Sequence, residues 1–167
     1  MPVNYCRHRL LGLPVLALLI AATGCSSDDA PSAALPSPEA KTAGLCRDLD
    51  KVLPSKVDGA GRTDPEPASA LTAGWGNPLI ILRCGVQRPP KMTDPKVAEG
   101  ADADAVAGGV NGVDWLMERQ DDGSYRFTCA NRLAYVEVTV DAGRDSSSVL
   151  IDLAPAVKKA IPEGIAL

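Results

Sequence analysis

Histidine is nearly missing from this 167-residue chain: its single copy, His8, sits near the amino terminus. Beyond residue 8 the chain therefore cannot assemble Ser-His-Asp or Cys-His catalysis, or a His-ligated metal site. Aromatics are scarce, with one Phe, two Trp and three Tyr, so few large side chains can fill a core. Basic charge is short as well. Seventeen Lys and Arg face 21 Asp and Glu, a net charge of −4 that becomes −6 once Arg7 and Arg9 are set aside with a leader. Net acidity with scattered basic residues argues against nucleic acid as a partner. A membrane-spanning run is lacking too. The apolar stretch Leu10 to Ala22 spans roughly 20 Å as a helix, short of a ~30 Å hydrocarbon core, and Pro14 weakens it further. Glycine and proline, 15 and 14 copies, are what the chain has in quantity, and they mark it as loop-rich.

The amino terminus is more informative. Arg7, His8 and Arg9 precede the apolar stretch, the order of a secretory signal. Ala22-Thr23-Gly24-Cys25 then places small residues directly before a cysteine. This resembles the bacterial lipobox, with Ala where Leu is commoner. The resemblance implies a lipoprotein signal peptide over 1–24, cleavage before Cys25, and lipidation of the Cys25 thiol, with palmitate-type acyl chains on the new terminus. At ~0.8 kcal/mol per buried CH2, one chain holds marginally and two or three hold stably. The expected location is extracytoplasmic, lipid-anchored to the cell membrane, with the membrane itself as a partner through the anchor.

Ser26 to Gly44 has three Pro, four Ser, five Ala and no aromatic. Such a stretch cannot bury enough apolar surface to fold, so 25–44 is expected to be a lipidated, disordered tether. In extended form it reaches on the order of 60 Å at ~3.1 Å per residue. A single α+β domain is expected over 45–167. Leu45, Leu49, Val52 and Leu53 predict a short helix closed by Pro54. Leu79 to Leu82 reads as a buried strand ahead of Cys84-Gly85, and 89–109 as a loop rich in Pro, Asp, Ala and Gly. Val113–Arg119 and Ser124–Cys129 flank Asp122-Gly123, a hairpin signal. Arg132 to Val140 alternates, predicting a half-buried strand with Glu137 and Thr139 on a wet face. Ser146 to Ser148 offer a cap, and Leu150, Leu153, Ala154, Val157 and Ile161 follow at helical spacing, with a kink or two short helices expected at Pro155. The fold class is α+β: a small antiparallel sheet packed with an N-terminal and a C-terminal helix.

With Cys6 in the leader and Cys25 acylated, Cys46, Cys84 and Cys129 remain, in a compartment where disulfides persist. They allow three single bridges with one thiol over, or three reduced thiols. Cys46–Cys84, first helix to apolar strand, is the preferred pairing. No Cys-x-x-Cys occurs, so a metal site is not expected.

A string of motifs runs through the folded part: Leu45-Cys46 with Leu53-Pro54, Gly74-Trp75-Gly76-Asn77-Pro78, Leu82-Arg83-Cys84-Gly85-Val86 with Pro89, Val110-Asn111-Gly112-Val113-Asp114-Trp115, and Phe127-Thr128 with Arg132 and Val136-Glu137-Val138. Together they resemble a family of actinobacterial secreted or lipid-anchored proteins known as a domain of unknown function, over roughly residues 40 to 162. The resemblance implies a location and a bacterial class rather than a mechanism. It also supports the Cys46–Cys84 disulfide and leaves Cys129 as an extra thiol.

Trp75, Arg83, Arg88, Trp115 and Arg132 are the candidate binding residues. Aromatic faces stack on sugars, and Arg reads carboxylates or phosphates through paired hydrogen bonds. The competing role for the tryptophans is core filling, and for the arginines pairing with Asp114, Glu118 or Glu137. Those three acids could also supply a carboxylate pair for glycoside hydrolysis. Asp102-Ala103-Asp104 and Asp121-Asp122-Gly123 lack the dense oxygen set of a calcium loop, and Gly108-Gly109 and Asn111-Gly112 lack the Lys-Ser/Thr of a phosphate loop. Cys129 has no base near it in sequence. No cofactor is expected. The functional expectation is a non-enzymatic binding or accessory lipoprotein of the cell envelope, meeting a cell-wall component or an envelope protein; a carboxylate-dependent wall hydrolase and a structural spacer are the alternatives.

Overall fold

The computed structural model describes residues 32–77 and 79–166; the leader, Cys25 and the first part of the expected tether lie outside the described residues. The body is α+β, as the patterning requires. Six strands form one antiparallel sheet: β3 (Thr72–Trp75), β4 (Ile80–Cys84), β5 (Ala105–Val110), β6 (Val113–Arg119), β7 (Tyr125–Ala130) and β8 (Val136–Val140). Their order across the sheet is β3-β4-β8-β7-β6-β5. A two-residue pair, β1 (Lys56–Val57) and β2 (Ala60–Gly61), forms a separate hairpin.

The period-2 pattern decides which face is covered. Trp75, Ile80, Leu82, Phe127, Cys129, Val136, Val138 and Val140 are buried and share one face by register. That face packs under α1 (Ala40–Asp50) and α3 (Ser146–Ala160), which bring Cys46, Leu49, Val149, Leu153 and Val157 to the core. The Cys46–Cys84 disulfide joins α1 to β4 and closes 38 residues, and Cys129 is free and buried.

The opposite face carries polar residues, yet it is not simply wet. Glu137 and Glu118 are only 7% and 6% exposed. Each meets an arginine across the sheet: Arg83–Glu137 at 2.8 Å and Arg126–Glu118 at 3.1 Å. Both are directly opposed positions in the antiparallel register, where opposite charges attract. The expected wet face of the last strand is therefore corrected at Glu137.

Several boundaries also move. Helix α1 starts at Ala40 and ends at Asp50, five residues earlier than the Leu45 start. Ser32 bridges to Glu66, Ala33 donates its N–H to the Glu66 carbonyl, and Arg83 donates to the Ala34 carbonyl. Residues 32–44 are thus ordered against the body, so the disorder expected over 25–44 does not extend to them. The expected strand from Arg132 begins only at Val136, because Asn131 takes a left-handed φ of 56° and turns the chain. Helix α3 runs through Pro155 without dividing. Pro155 and Ile151, whose carbonyl would have received the missing bond, both lie on the exposed side of the helix, while Leu153, Ala154, Ala156 and Val157 beside them are buried. Asp145 rather than a serine caps the helix, accepting from the Ser147 N–H.

The expected loop at 89–109 differs most. It holds a 3-10 turn (Pro90–Thr93), the short helix α2 (Pro95–Ala98) capped by Asp94, and the edge strand β5. Met92, Val97, Ala105 and Leu116 make a small second core that presses this segment on the polar face of the sheet.

Candidate functional site

The five sequence-derived candidates do not meet in one groove. Trp75 is fully buried under the helices, and its Nε1–H donates to the Pro54 carbonyl at 2.9 Å. The Arg62 guanidinium lies 5.6 Å from its ring centre and pairs with Asp50 and Asp64. Trp115 is buried on the same face, and its Nε1–H finds no partner among the described residues. Arg83 is on the other face with Glu137. Arg88 is exposed in the segment after β4. Arg132 is 5% exposed and points inward, donating to the carbonyls of Ile161 and Gly112 at 2.8 and 3.1 Å. It therefore fastens the end of α3 to the β5–β6 turn.

The candidate hydrolase carboxylates are also apart. Asp114 and Glu118 are four residues distant on one strand, and Glu137 is two strands away and out of line by two residues. Their backbones are separated by on the order of 12 Å from strand geometry, and two of the three acids are held by arginines. Cys129 lies buried with its thiol accepting from the Val136 N–H; burial pushes its pKa up to about 11, so it is held as the thiol, the wrong state for a nucleophile. Among the described residues, no cluster of three or more His, Cys, Asp or Glu is placed to hold a metal, and no helix is long and apolar enough to cross a membrane.

What the fold does build is a cleft of about 500 Å3 at one end of the sheet. Its floor is Ala107, Gly109 and Leu116, its wall Met92 and Val97, and its rim Asp94, Asp114 and Asn131. No Lys or Arg lines it. Asp94 is present because it caps α2, and Asp114 because it follows the Asn111-Gly112 turn into β6. The left-handed Asn131 aims its amide at Asp114, donating at 3.0 Å. A smaller recess shares Asp114, Ala130 and Asn131 with it and adds Glu163. The Lys91–Asp102 ion pair, at 2.6 Å, ties the covering segment to the approach of β5. The hydrogen bond from Lys91 holds the Asp102 carboxyl below its ordinary value, and the bond to Asp102 in turn raises Lys91.

Sequence reasoning singled out Asp114 but missed the cleft and its strand β5. One signal was present: Asn111-Gly112 between two apolar runs is a two-residue hairpin turn, and both residues have the positive φ, 49° and 77°, that such a turn demands.

Comparisons with known proteins add one finding. A family model described as Protein of unknown function (DUF3515) matches residues 9–166. No curated protein and no solved structure matches this chain. The match spans nearly the whole length, and the chain belongs to that family of proteins of unknown function.

Proposed function

We propose that this chain is an accessory lipoprotein of an actinobacterial cell envelope. It is held by an acylated Cys25 on the outer side of the cytoplasmic membrane and acts by binding rather than by catalysis. The observation that carries the reading is the buried Cys46–Cys84 disulfide joining α1 to the sheet. A bridge of this kind persists in an oxidising compartment and suits a chain exported behind a lipobox. The chemistry of the candidate catalytic groups points the same way: Glu118 and Glu137 are neutralised by arginines, and Cys129 is kept protonated. The cleft beside β5, apolar below and acidic at its rim, is the surface offered to a wall component or an envelope protein.

The test is fractionation of the full-length chain expressed in an actinobacterial host. Native protein should partition with membranes and carry acyl chains by mass spectrometry; Cys25→Ala should carry none and leave the membrane fraction. An unacylated native protein, or a Cys25→Ala protein that stays with the membrane, overturns the anchor.

A further inference from the structure

The two edges of the six-stranded sheet are treated differently. At β3 all four residues are buried, the Thr63 N–H donates to the Gly74 carbonyl, and the Gly76 N–H to the Gly61 carbonyl. That edge is covered. At β5 the residues Val106 to Gly109 are exposed, and the strand Ala-Val-Ala-Gly-Gly-Val carries no charge, proline or bulge. Sheets ordinarily blunt a free edge with one of these devices, and an edge without them is a template for another strand.

The register says which groups are free. Val110 and Val113 flank a two-residue turn and are the first hydrogen-bonded pair, and the bond from the Arg119 N–H to the Asp104 carbonyl is in phase with it. Val110, Gly108 and Val106 therefore bond to β6. Ala107 and Gly109 turn their N–H and C=O groups away from the sheet, and neither has another backbone partner among the described residues. A cavity opens on each face of this same strand. One is the acidic-rimmed cleft of about 500 Å3, with Asp94 and Asp114. The other, about 210 Å3, lies between the strand and the start of α3 and is lined by Val106, Val110, Met117, Phe127 and Leu150.

We infer that β5 receives an extended segment of a different protein as a seventh strand. The Ala107 and Gly109 backbone groups pair with it. Its alternate side chains are large and apolar toward the α3 side, and Lys or Arg toward Asp94 and Asp114. This is strand addition, in which main-chain bonds give affinity and alternating pockets give specificity. A second copy of this chain fits poorly: its β5 offers no side chain larger than Val to either cavity, and it brings more negative charge to an acidic rim. The inference rests on the binding-module reading above, and is independent of the anchor.

The experiment uses the full-length lipidated protein in neutral detergent, isotopically labelled, with a capped octapeptide of alternating Lys and Leu as probe. The peptide should slow hydrogen exchange at the Ala107 and Gly109 amides at least about tenfold. N-methylating the peptide amides on its pairing edge should abolish binding, and replacing its Lys by Glu should weaken it at least about tenfold. Ala107→Pro removes an outward N–H, which an edge strand tolerates, and should abolish binding while native near-UV dichroism is kept. Should that variant misfold, Asp114→Asn gives the second reading: weaker binding of the Lys peptide, by about fivefold or more, with no loss for a peptide carrying Thr in place of Lys. No protection at millimolar peptide, or binding indifferent to N-methylation and to these variants, overturns the inference. A native dimer that Ala107→Pro dissociates also overturns it, since the occupant is then a second copy. Loss of acylation in the fractionation assay would leave this outcome untouched, so the two readings fail separately.

Discussion

Replacing both Cys46 and Cys84 by alanine should lower the stability of this body by about 4 kcal/mol. The bridge closes 38 residues, from α1 through the β1–β2 hairpin and β3 to the end of β4. For a loop of that length the chain-entropy relation assigns about 3.9 kcal/mol at 25 °C to the conformations the cross-link denies the unfolded chain. Alanine is the right replacement: both cysteines are buried, at 0% and 1% exposure, and a serine would add an unpartnered hydroxyl. In a body of this size the loss corresponds to a fall in Tm on the order of 12–16 °C. The assay is urea unfolding of wild type, with its bridge intact, and of the double variant, followed by tryptophan fluorescence. Since the effect lies in the unfolded state, the midpoint should fall and the slope of ΔG with urea should rise, because an unlinked chain exposes more surface. Coincident curves for the two proteins would refute the reasoning. A loss well above about 7 kcal/mol would also refute it, by showing that α1 docks on β4 only through the sulfurs.

The two tryptophans should respond differently to the same change. Trp75→Phe removes a donor that bonds the Pro54 carbonyl and should cost about 2 kcal/mol in urea unfolding, whereas Trp115→Phe removes a donor without a partner and should cost at least about 1 kcal/mol less. Arg132→Ala strands the carbonyls of Ile161 and Gly112 and should cost about 3 kcal/mol, with Arg132→Lys recovering only part because an ammonium cannot span both as the planar fork does. The Lys91–Asp102 clasp should hold the cleft wall between about pH 4 and pH 10. Asp102 is depressed from 3.8, so its contribution is complete above that value and fades as pH falls through the folded pKa; Lys91 is raised from 10.5, so its share fades only as pH climbs through its folded value. The methyl resonance of Met92, beside the clasp, should move at both ends of the range and not between; movement near neutrality would count against the pair.

The sheet's centre was legible because its residues obey a single rule. Ile80, Leu82, Val136, Val138 and Val140 alternate, or run together where both neighbours bury them, and the Asp122-Gly123 turn separates two strands of matched length. The same rule failed at Glu137, where alternation gave the correct face but not its burial. Only the pairing with Arg83, 54 positions away, accounts for a carboxylate in that place. Pro155 misled for a related reason: the local penalty for proline inside a helix is outweighed by packing on both sides of it, where Val149, Leu150, Leu153, Ala154, Ala156 and Val157 are all buried in the core. Asp94, Asn131 and β5 had no periodic signature at all. A strand with one neighbour and two exposed faces has no reason to alternate, and small residues are what such a position tolerates.

The illegible region and the candidate site are therefore the same region for one physical reason. Apolar alternation records contacts a chain makes with itself, so it is strongest where a strand has neighbours on every side. β5 lacks a neighbour along one edge and carries Ala, Gly and Val where large side chains would close both cavities. The backbone leaves room for side chains here: a Cβ on Gly108 would meet no atom within 4 Å, and a Cβ on Gly109 only the Asp114 carboxylate at 3.5 Å and the Val113 carbonyl at 4.0 Å, both ordinary contacts. At β3 the contrary holds, since a Cβ on Gly74 would meet the Thr63 carbonyl at under 3 Å, and that glycine is required by the fold itself. Gly74 is small because its own chain is already there. Gly108 and Gly109 are small without any such crowding, which is the condition a docking edge needs and a structural spacer does not.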